Sequence, residues 1–335
     1  METIAIGIQN ICAPCGCACK YCLLQSCKSA DDGVEYYRGK RQAVRFAEWG
    51  REKNRTNLPF YYISYCAEYP ELFDNIAYNQ SVGFAGGRFL QCNGIRIRDK
   101  AGTDEFCRKL AAAGVRMIDT TFYGDEAYHD RFAAREGDYR FMLRLAASAK
   151  AAGITCAPSV MVTEENRGMQ GGLFDTLEGV VGLENVHSFP PDYRGRGDRV
   201  EDVRLTQAGY EALPERVKKS LNKTRYRTQA EWLGDGSLPE YTRRAVTITL
   251  RRDNIDQFER MTCDELVAYV EALDDAYYRA IPTINELAGM YADRDSDRLY
   301  RVRDLFWMWQ RRYIREHGLK LYDVTDERLC HTVRS

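Results

Sequence analysis

The residues of this chain that could do chemistry are concentrated in one short segment. Six of its twelve cysteines fall within residues 12–27, in the sequence CAPCGCACKYCLLQSC. Thiolates are ligands for zinc, copper and iron–sulfur centres, whereas disulfides belong mainly to secreted proteins. The N-terminus, METIAIGIQN, has no basic region and no small-residue cleavage site of a signal peptide. We therefore predict a cytoplasmic protein whose cysteine segment binds a metal.

The spacing of these cysteines distinguishes between kinds of metal centre. A zinc ribbon needs two C-x2-C knuckles separated by roughly fifteen or more residues, but here three residues lie between Cys15 and Cys19. A bacterial ferredoxin run, C-x2-C-x2-C-x3-C, has a different order of spacings. The pattern that remains is C-x3-C-x2-C, through Cys15, Cys19 and Cys22. Three thiolates can hold three irons of a [4Fe–4S] cluster and leave the fourth iron open to a substrate or cofactor.

The elements that must position this segment follow a regular order. Apolar and polar patterning predicts strands at 3–9, 58–65, 88–92, 115–120, 154–162 and 184–189. Helices are predicted between them at 34–53, 70–79, 103–113, 138–152 and 171–181, with Thr103 and Asp138 as N-caps. Alternating strands and helices indicate parallel βαβ units, whose ligand sites lie at the C-terminal ends of the strands. The cysteine segment follows the first strand, so we expect it at that end.

Several segments together resemble the radical S-adenosylmethionine (radical SAM) enzymes. CGCACKYC resembles their signature loop. Residues 90–97 (LQCNGIRI), 110–141 and 153–166 resemble the third-, fourth- and fifth-strand segments of one branch of that superfamily. This branch contains molybdenum-cofactor biosynthesis enzymes and peptide- or sulfatase-maturing enzymes. The resemblance covers roughly residues 3–190 and implies an α/β fold, a partial (β/α)6 TIM-type barrel.

The resemblance also implies an activity. In such enzymes the open iron chelates the amino and carboxylate groups of SAM. An electron from the reduced cluster then cleaves SAM into methionine and a 5′-deoxyadenosyl radical, which abstracts hydrogen from the substrate. Cys15, Cys19 and Cys22 match the cluster ligands, and Tyr21 matches the aromatic residue near the adenine.

Contacts with SAM are implied for residues after the second, fourth and fifth strands, namely Cys66, Ala67, Glu68, Thr121, Arg131 and Asn166. For two of these residues, the sequence supports an ordinary structural role as well as it supports a contact with SAM. Glu68 fits an ordinary carboxylate in the first turn of a helix, and Thr121 fits a strand residue with a local hydrogen bond. His129 is expected to be a structural hydrogen-bonding residue. For the other cysteines of the loop, Cys12, Cys17 and Cys27, we expect packing or spare thiols, with donation of a hydrogen atom as the alternative. Cys330 is expected to be an incidental thiol.

The regular alternation of predicted strands and helices ends after residue 191. We predict two domains, the barrel at 1–195 and a mostly helical extension at 196–335 that covers the barrel mouth and shapes a substrate pocket. Segment 244–250 (RAVTITL) is predicted as one isolated strand, and Thr262 with Glu265 has the spacing of a capping box. Only two cysteines lie beyond Cys156, too few for a second four-cysteine cluster, so we predict one cluster.

The substrate is expected to be a small polar metabolite, with a peptide as the alternative. A radical SAM enzyme implies an electron donor such as flavodoxin or ferredoxin and anaerobic operation. The net charge of −1 gives no basis for nucleic-acid binding, and no apolar run approaches the ~20 residues of a membrane span. Two rival functions use the same cysteines. One is an iron–sulfur electron carrier or redox sensor, and the other is a zinc-stabilised binding module, which the short knuckle spacing opposes.

Overall fold

The structure of the protein, a computed structural model, describes most of the chain. The described residues are 4–10, 15–22, 34–54, 62–64, 67–81, 88–193, 197–234, 238, 244–250, 252 and 254–319. Four cysteines discussed above, Cys12, Cys27, Cys66 and Cys330, lie outside these residues. The SAM contact predicted for Cys66 therefore stays a prediction.

Two parallel sheets form the centre of the fold. The strands are β1 (Ile4–Asn10), β2 (Tyr62–Ser64), β3 (Phe89–Gln91), β4 (Met117–Phe122), β5 (Thr155–Met161), β6 (His187–Phe189) and β7 (Arg244–Leu250). One sheet has the order β2-β1-β7 and the other β3-β4-β5-β6, and every pairing in them is parallel. The α/β class and the six predicted strands are confirmed. A single partial barrel needs β2 to continue into β3; the described residues contain no pairing between these two strands, so that closure stays a prediction.

Helices connect the strands and continue beyond them. They are α1 (Tyr36–Glu52), α2 (Leu72–Ser81), α3 (Lys100–Ala112), α4 (Glu126–Ala133), α5 (Asp138–Ala151), α6 (Gln170–Val180), α7 (Gln207–Glu211), α8 (Glu215–Ser220), α9 (Gln229–Gly234), α10 (Ile255–Arg260), α11 (Cys263–Ala280), α12 (Ile284–Tyr291) and α13 (Val302–Glu316). Within the part of the chain that the structure describes, none of them combines the length and the apolar character needed to cross a bilayer.

The alternation of residues along β4 separates a packed face from an open one. Ile118, Thr120 and Phe122 are fully buried, and the two apolar side chains pack with residues of α3, α5 and α6 in the main core. Met117 and Thr121, on the other face, are half-buried. Because successive strand residues point to opposite faces, the second face carries the next odd position as well, Asp119. Helices therefore cover one side of the four-stranded sheet, and its other side carries polar groups.

Two predicted helix caps are wrong. The N-cap of α3 is Asp99, whose carboxylate accepts from the amide of Gly102 at 2.8 Å, and the hydroxyl of Thr103 instead donates to the carbonyl of Asp99. The N-cap of α5 is Gly137, whose φ of 74° lies in the left-handed region that favours glycine. Asp138 is the first residue of that helix, and its carboxylate bonds other groups. The helix α4 was not among the predicted elements.

One predicted element in the second part of the chain is corrected by the structure. Strand β7 is not isolated, because it pairs with β1 in parallel over seven residues, from Ile4 with Arg244 to Asn10 with Leu250. The pairing could not be foreseen, since it joins segments about 240 residues apart. The capping box before α11 is confirmed: the amide of Thr262 donates to Glu265 at 2.7 Å, and the amide of Glu265 donates back to the Thr262 hydroxyl at 3.2 Å. The division into domains at residue 195 stays a prediction.

Candidate functional site

The cysteine loop is attached to the C-terminal ends of β3 and of helix α4. The amide of Gly16 donates to the carbonyl of Gly94 at 2.7 Å, just after β3. The amide of Ala18 donates to Ala133 at 2.9 Å, and that of Lys20 to Phe132 at 3.0 Å. These backbone bonds hold the described loop, residues 15–22, at the edge where parallel strands place ligand sites.

Gly94 is required at its position for two reasons. Its φ of +73° is in the left-handed region, which favours glycine. A Cβ at this position would lie 2.2 Å from the Sγ of Cys15. The Asn-Gly pair of the third-strand segment thus provides the contact surface for the first predicted cluster ligand.

The thiol of Cys17 is occupied by protein groups behind the loop. It is buried, it donates to Oδ2 of Asp138 at 3.7 Å, and it accepts from Nη1 of Arg135 at 3.8 Å. Hydrogen bonds with the neighbouring thiols of Cys15 and Cys19, followed by burial and the charge of Asp138, raise the pKa of Cys17. This environment agrees with a packing role for Cys17.

The same aspartate binds the predicted structural histidine. Nε2 of His129 lies 3.1 Å from Oδ2 of Asp138, and His129 is fully buried. Arg135 adds an ion pair to Asp138 at 3.2 Å. The expectation that His129 is a structural hydrogen-bonding residue is confirmed.

The residues of the loop fit the donor chemistry of an iron–sulfur cluster. Cys15 and Cys19 are half-buried and Cys22 is buried, so three thiols are present on one anchored loop. Among the described residues, no three cysteine, histidine or acidic side chains converge on a position for one metal ion. A cluster does not require such convergence, because its thiolates bind separate irons, whereas a zinc centre does.

Tyr21 connects the loop to the segment after β6. Its ring is buried, and its hydroxyl accepts from the amide of Asp192 at 2.9 Å. The hydroxyl of Tyr123, at the end of β4, contacts Cys19 Sγ at 3.7 Å. Burial, followed by the influence of Cys19, raises the pKa of Tyr123. Tyr21 on the loop and Tyr123 at the end of β4 therefore connect the loop to the ends of two strands.

Thr121 is held in place by the asparagine of the Asn-Gly pair. Nδ2 of Asn93 donates to Oγ1 of Thr121 at 2.9 Å, and Oδ1 of Asn93 accepts from the Thr121 amide at 2.7 Å. The local hydrogen bond foreseen as an alternative for Thr121 is present. Its half-buried hydroxyl also lies on the open face of β4, so a SAM contact stays a prediction.

Glu68 already has protein partners. Nη2 of Arg98 lies 2.9 Å from both carboxylate oxygens, and the amide of Arg96 donates at 3.0 Å. Ala67 and Glu68 also line a groove of about 230 Å³ that continues along Arg96, Arg98 and Phe106. The structure therefore pairs Glu68 with an arginine, and its contact with SAM stays a prediction.

The two remaining predicted SAM residues differ in exposure. Asn166 is fully buried, its amide donates to the carbonyls of Tyr123 at 2.6 Å and Met161 at 2.8 Å, and its oxygen accepts from Thr163 at 2.8 Å. These bonds join the ends of β4 and β5. Arg131 is exposed and stacks over the ring of Tyr128 at 5.0 Å. The geometry favours a bracing role for Asn166, and direct SAM contacts of both residues stay predictions.

Sequence reasoning missed a set of three polar side chains on the open face of the four-stranded sheet. Asp119, Ser159 and His187 form a hydrogen-bonded line across β4, β5 and β6. Each occupies a position that alternation assigns to the open face, which is the only signal in the sequence that could have found them. Their partnership depends on the strand register, which the sequence does not display.

Comparisons with known proteins add structural similarities. No protein-family model and no curated protein matches the chain. It is similar to Streptococcus suis SuiB bound to S-adenosylmethionine, with a TM-score of 0.38 and 12% identity over 56% of this chain and 41% of SuiB. For native anSMEcpe with bound AdoMet and the Cp18Cys peptide, the TM-score is 0.44 and the identity 14%, over 78% and 79% of the two chains.

A third similar structure is coproporphyrinogen III oxidase (HemN) from Escherichia coli, a radical SAM enzyme. Its TM-score is 0.40, with 9% identity over 92% of this chain and 90% of HemN. The chain spans 41% of the length of SuiB and 62% of the length of native anSMEcpe with bound AdoMet, which is less than two thirds in both cases. At TM-scores below 0.5, the assignment of a function depends on the residues of this chain itself.

Proposed function

We propose that this protein is a radical SAM enzyme with one [4Fe–4S] cluster. The observation that carries the proposal is the position of the C-x3-C-x2-C loop. Its backbone is bonded to Gly94 after β3 and to the end of α4, and Tyr123 at the end of β4 contacts Cys19. An electron carrier could use the same cysteines, but it has no need for a loop built into the ligand-binding edge of a parallel sheet.

Cys15, Cys19 and Cys22 would hold the cluster, and a fourth iron would remain for the cofactor. A cluster bound there would supply the electron for the reductive cleavage of SAM, which is the source of the radical. The chain itself supplies position and shielding from water. Backbone bonds from residues 16, 18 and 20 fix the loop, and the buried ring of Tyr21 packs in an apolar cluster with Cys17 and Tyr123.

The residues that would bind SAM surround the end of β4. Thr121, oriented by Asn93, offers a hydroxyl, and exposed Arg131 on α4 offers a positive charge for a carboxylate. Tyr21 would lie against the adenine. Glu68 would bind the SAM ammonium by exchanging one of its arginine contacts, and Asn166 would act by bracing the two strand ends.

We propose a small polar metabolite as the substrate, with a peptide as the alternative. A polar substrate is supported by the polar side chains on the open face of β4, β5 and β6. The working environment would be an anaerobic cytoplasm with flavodoxin or ferredoxin as the electron donor.

One anaerobic experiment tests the proposal. The protein is reconstituted with iron and sulfide, reduced with dithionite and mixed with SAM, and 5′-deoxyadenosine is measured. Cys22→Ala should abolish both cluster and nucleoside, whereas Cys263→Ala should retain both. The two thiols are matched controls, because each is 7% exposed.

The outcomes separate the rival functions. Nucleoside formation by the wild type and by Cys263→Ala supports the radical SAM proposal. An intact cluster without nucleoside above the Cys22→Ala background rejects it in favour of an electron carrier or redox sensor. Binding of zinc without iron rejects both and favours a zinc-stabilised module.

A further inference from the structure

Three side chains form a continuous hydrogen-bonded line across the four-stranded sheet. Oγ of Ser159 lies 2.8 Å from Oδ1 of Asp119 and 2.8 Å from Nε2 of His187. Ser159 and His187 are direct register partners of β5 and β6. Three consecutive strands thus each contribute one member, on the face of the sheet opposite the main core.

The chemistry of serine sets the direction of this line. A hydroxyl has one hydrogen to donate, and an ionised carboxylate can only accept. Ser159 therefore donates to Asp119, and its oxygen accepts from the Nε2–H of His187. Burial raises the pKa of Asp119, and the hydrogen bond from Ser159 and the nearby His187 oppose part of that rise. In its neutral form, His187 then has its lone pair on Nδ1.

Burial changes systematically along the line. Asp119 is 9% exposed and Ser159 4%, whereas the ring of His187 is exposed. No described residue forms a hydrogen bond with Nδ1 of His187. The line therefore begins at a buried carboxylate and ends at an exposed histidine, whose tautomer is set by the two residues behind it.

The line also lies close to the predicted SAM site. Asp119 and Thr121 share the open face of β4, and Tyr123 follows at the end of the strand, where its hydroxyl contacts Cys19. At about 3.3 Å per residue, Asp119 is roughly 7 Å from Thr121 and roughly 13 Å from Tyr123 along the strand. A small molecule bound at the line would be adjacent to a cofactor at Thr121.

We propose that His187 is a substrate-binding residue that accepts a hydrogen bond from a hydroxyl or ammonium group. Ser159 and Asp119 are positioning residues that fix its tautomer. The substrate class is accordingly a small molecule or side chain with a polarised O–H or N–H. Its designation as a substrate rests on the proposed radical SAM function, whereas the tautomer and the binding of donors do not.

Nuclear magnetic resonance of the full chain labelled with 15N-histidine tests the first step. The chain has four histidines, and His187→Asn assigns the signal of interest. Neutral His187 should be the Nε2–H tautomer. His317 is an internal control. Its Nδ1 donates to the carbonyl of Tyr313 at 2.9 Å, so neutral His317 should be the Nδ1–H tautomer. An Nδ1–H tautomer for His187 would overturn the proposal, and the tautomer itself is measured in the wild type, where the line is intact.

Variants of Ser159 test the positioning role. Ser159→Ala should convert the single tautomer of His187 into a mixture, and Ser159→Thr, which keeps the hydroxyl, should restore it. The His317 signal should be unchanged in both. A His187 signal that is the same in Ser159→Ala as in the wild type would show that the line does not control the ring.

Small probes test the class of ligand. Ethylammonium and ethanol are titrated separately, with acetate as the anionic control, and the His187 15N signals are followed. A saturable shift with ethylammonium identifies an ammonium ligand, a shift with ethanol a hydroxyl ligand, and either supports the proposal. A shift with acetate alone, or with none of the three, refutes it. The titration needs neither cluster nor SAM, so its failure is distinct from failure of the proposed radical SAM activity.

Discussion

Replacing Gly94 with alanine introduces one methyl group beside the thiol of Cys15. The new Cβ would lie 2.2 Å from Sγ of Cys15, whereas ordinary contact begins at 3.4 Å. The sulfur must then move by about 1.2 Å, the difference between these two distances. Because ligand groups must be held within about 0.5 Å of their working geometry, we expect Gly94→Ala to lose most of its cluster.

The substitution also strains the backbone, independently of the thiol. A second glycine with the same backbone conformation provides a control for this strain. A left-handed backbone costs a residue with a Cβ about 1–2 kcal/mol. Gly153 has nearly the same φ, +76°, but a Cβ there meets no atom within 4 Å. Gly153→Ala should therefore lower the free energy of unfolding by a similar 1–2 kcal/mol while leaving the loop undisturbed.

The assay compares iron and sulfide content after anaerobic reconstitution, together with urea unfolding of both variants. We expect full cluster content in Gly153→Ala and a large loss in Gly94→Ala, at comparable stability. Equal cluster content in the two variants would refute the reasoning, because it would mean that the contact between residue 94 and Cys15 does not position the ligand.

Three further predictions concern single side chains. Glu68→Gln should weaken SAM binding in calorimetry and keep the cluster spectrum; unchanged affinity would assign the carboxylate to its arginine pair alone. Asn166→Ala should lower the free energy of unfolding by about 2–4 kcal/mol, because two buried carbonyls lose their donor; a loss under about 0.5 kcal/mol in urea unfolding contradicts the bracing role. Burial, then the charge of Asp192, raises the pKa of Asp304 from 3.8 to about 6. The folded state therefore holds this proton more tightly, and stability should fall as pH rises from about 4 to about 6. Urea unfolding across this range should show a smaller fall in Asp304→Asn, and equal falls would contradict the burial argument.

The order of strands and helices was predictable because its signals are local. Alternation along β4 and β5 and the apolar periodicity of α5 depend on residues within a few positions of one another. Helix caps were less predictable, because Asp99 and Thr103 are both good capping residues. In the structure Asp99 is the cap, since its carboxylate accepts from the amide three positions later, that of Gly102. The pairing of β7 with β1 depends on contacts between distant segments, which local patterns do not contain.

The candidate site was predictable to the extent that one short segment encodes it. The spacing of Cys15, Cys19 and Cys22 is local, and it indicates the kind of metal centre without any structure. The ion pair of Glu68 with Arg98 is not local, since the two residues follow different strands. The line through Asp119, Ser159 and His187 was missed for the same reason, because three strands must be in register before these side chains meet.

The Asn-Gly pair after β3 shows how the two halves of the site depend on one another. The side chain of Asn93 holds Thr121 by two hydrogen bonds, while the backbone of Gly94 accepts from Gly16 and leaves room for the thiol of Cys15. Two adjacent residues therefore position a predicted cofactor contact and a predicted cluster ligand from one rigid strand end. A cofactor that must bind both the cluster and the protein requires these groups at a constant separation. The dipeptide provides it, because neither group can shift without moving the same turn of the backbone.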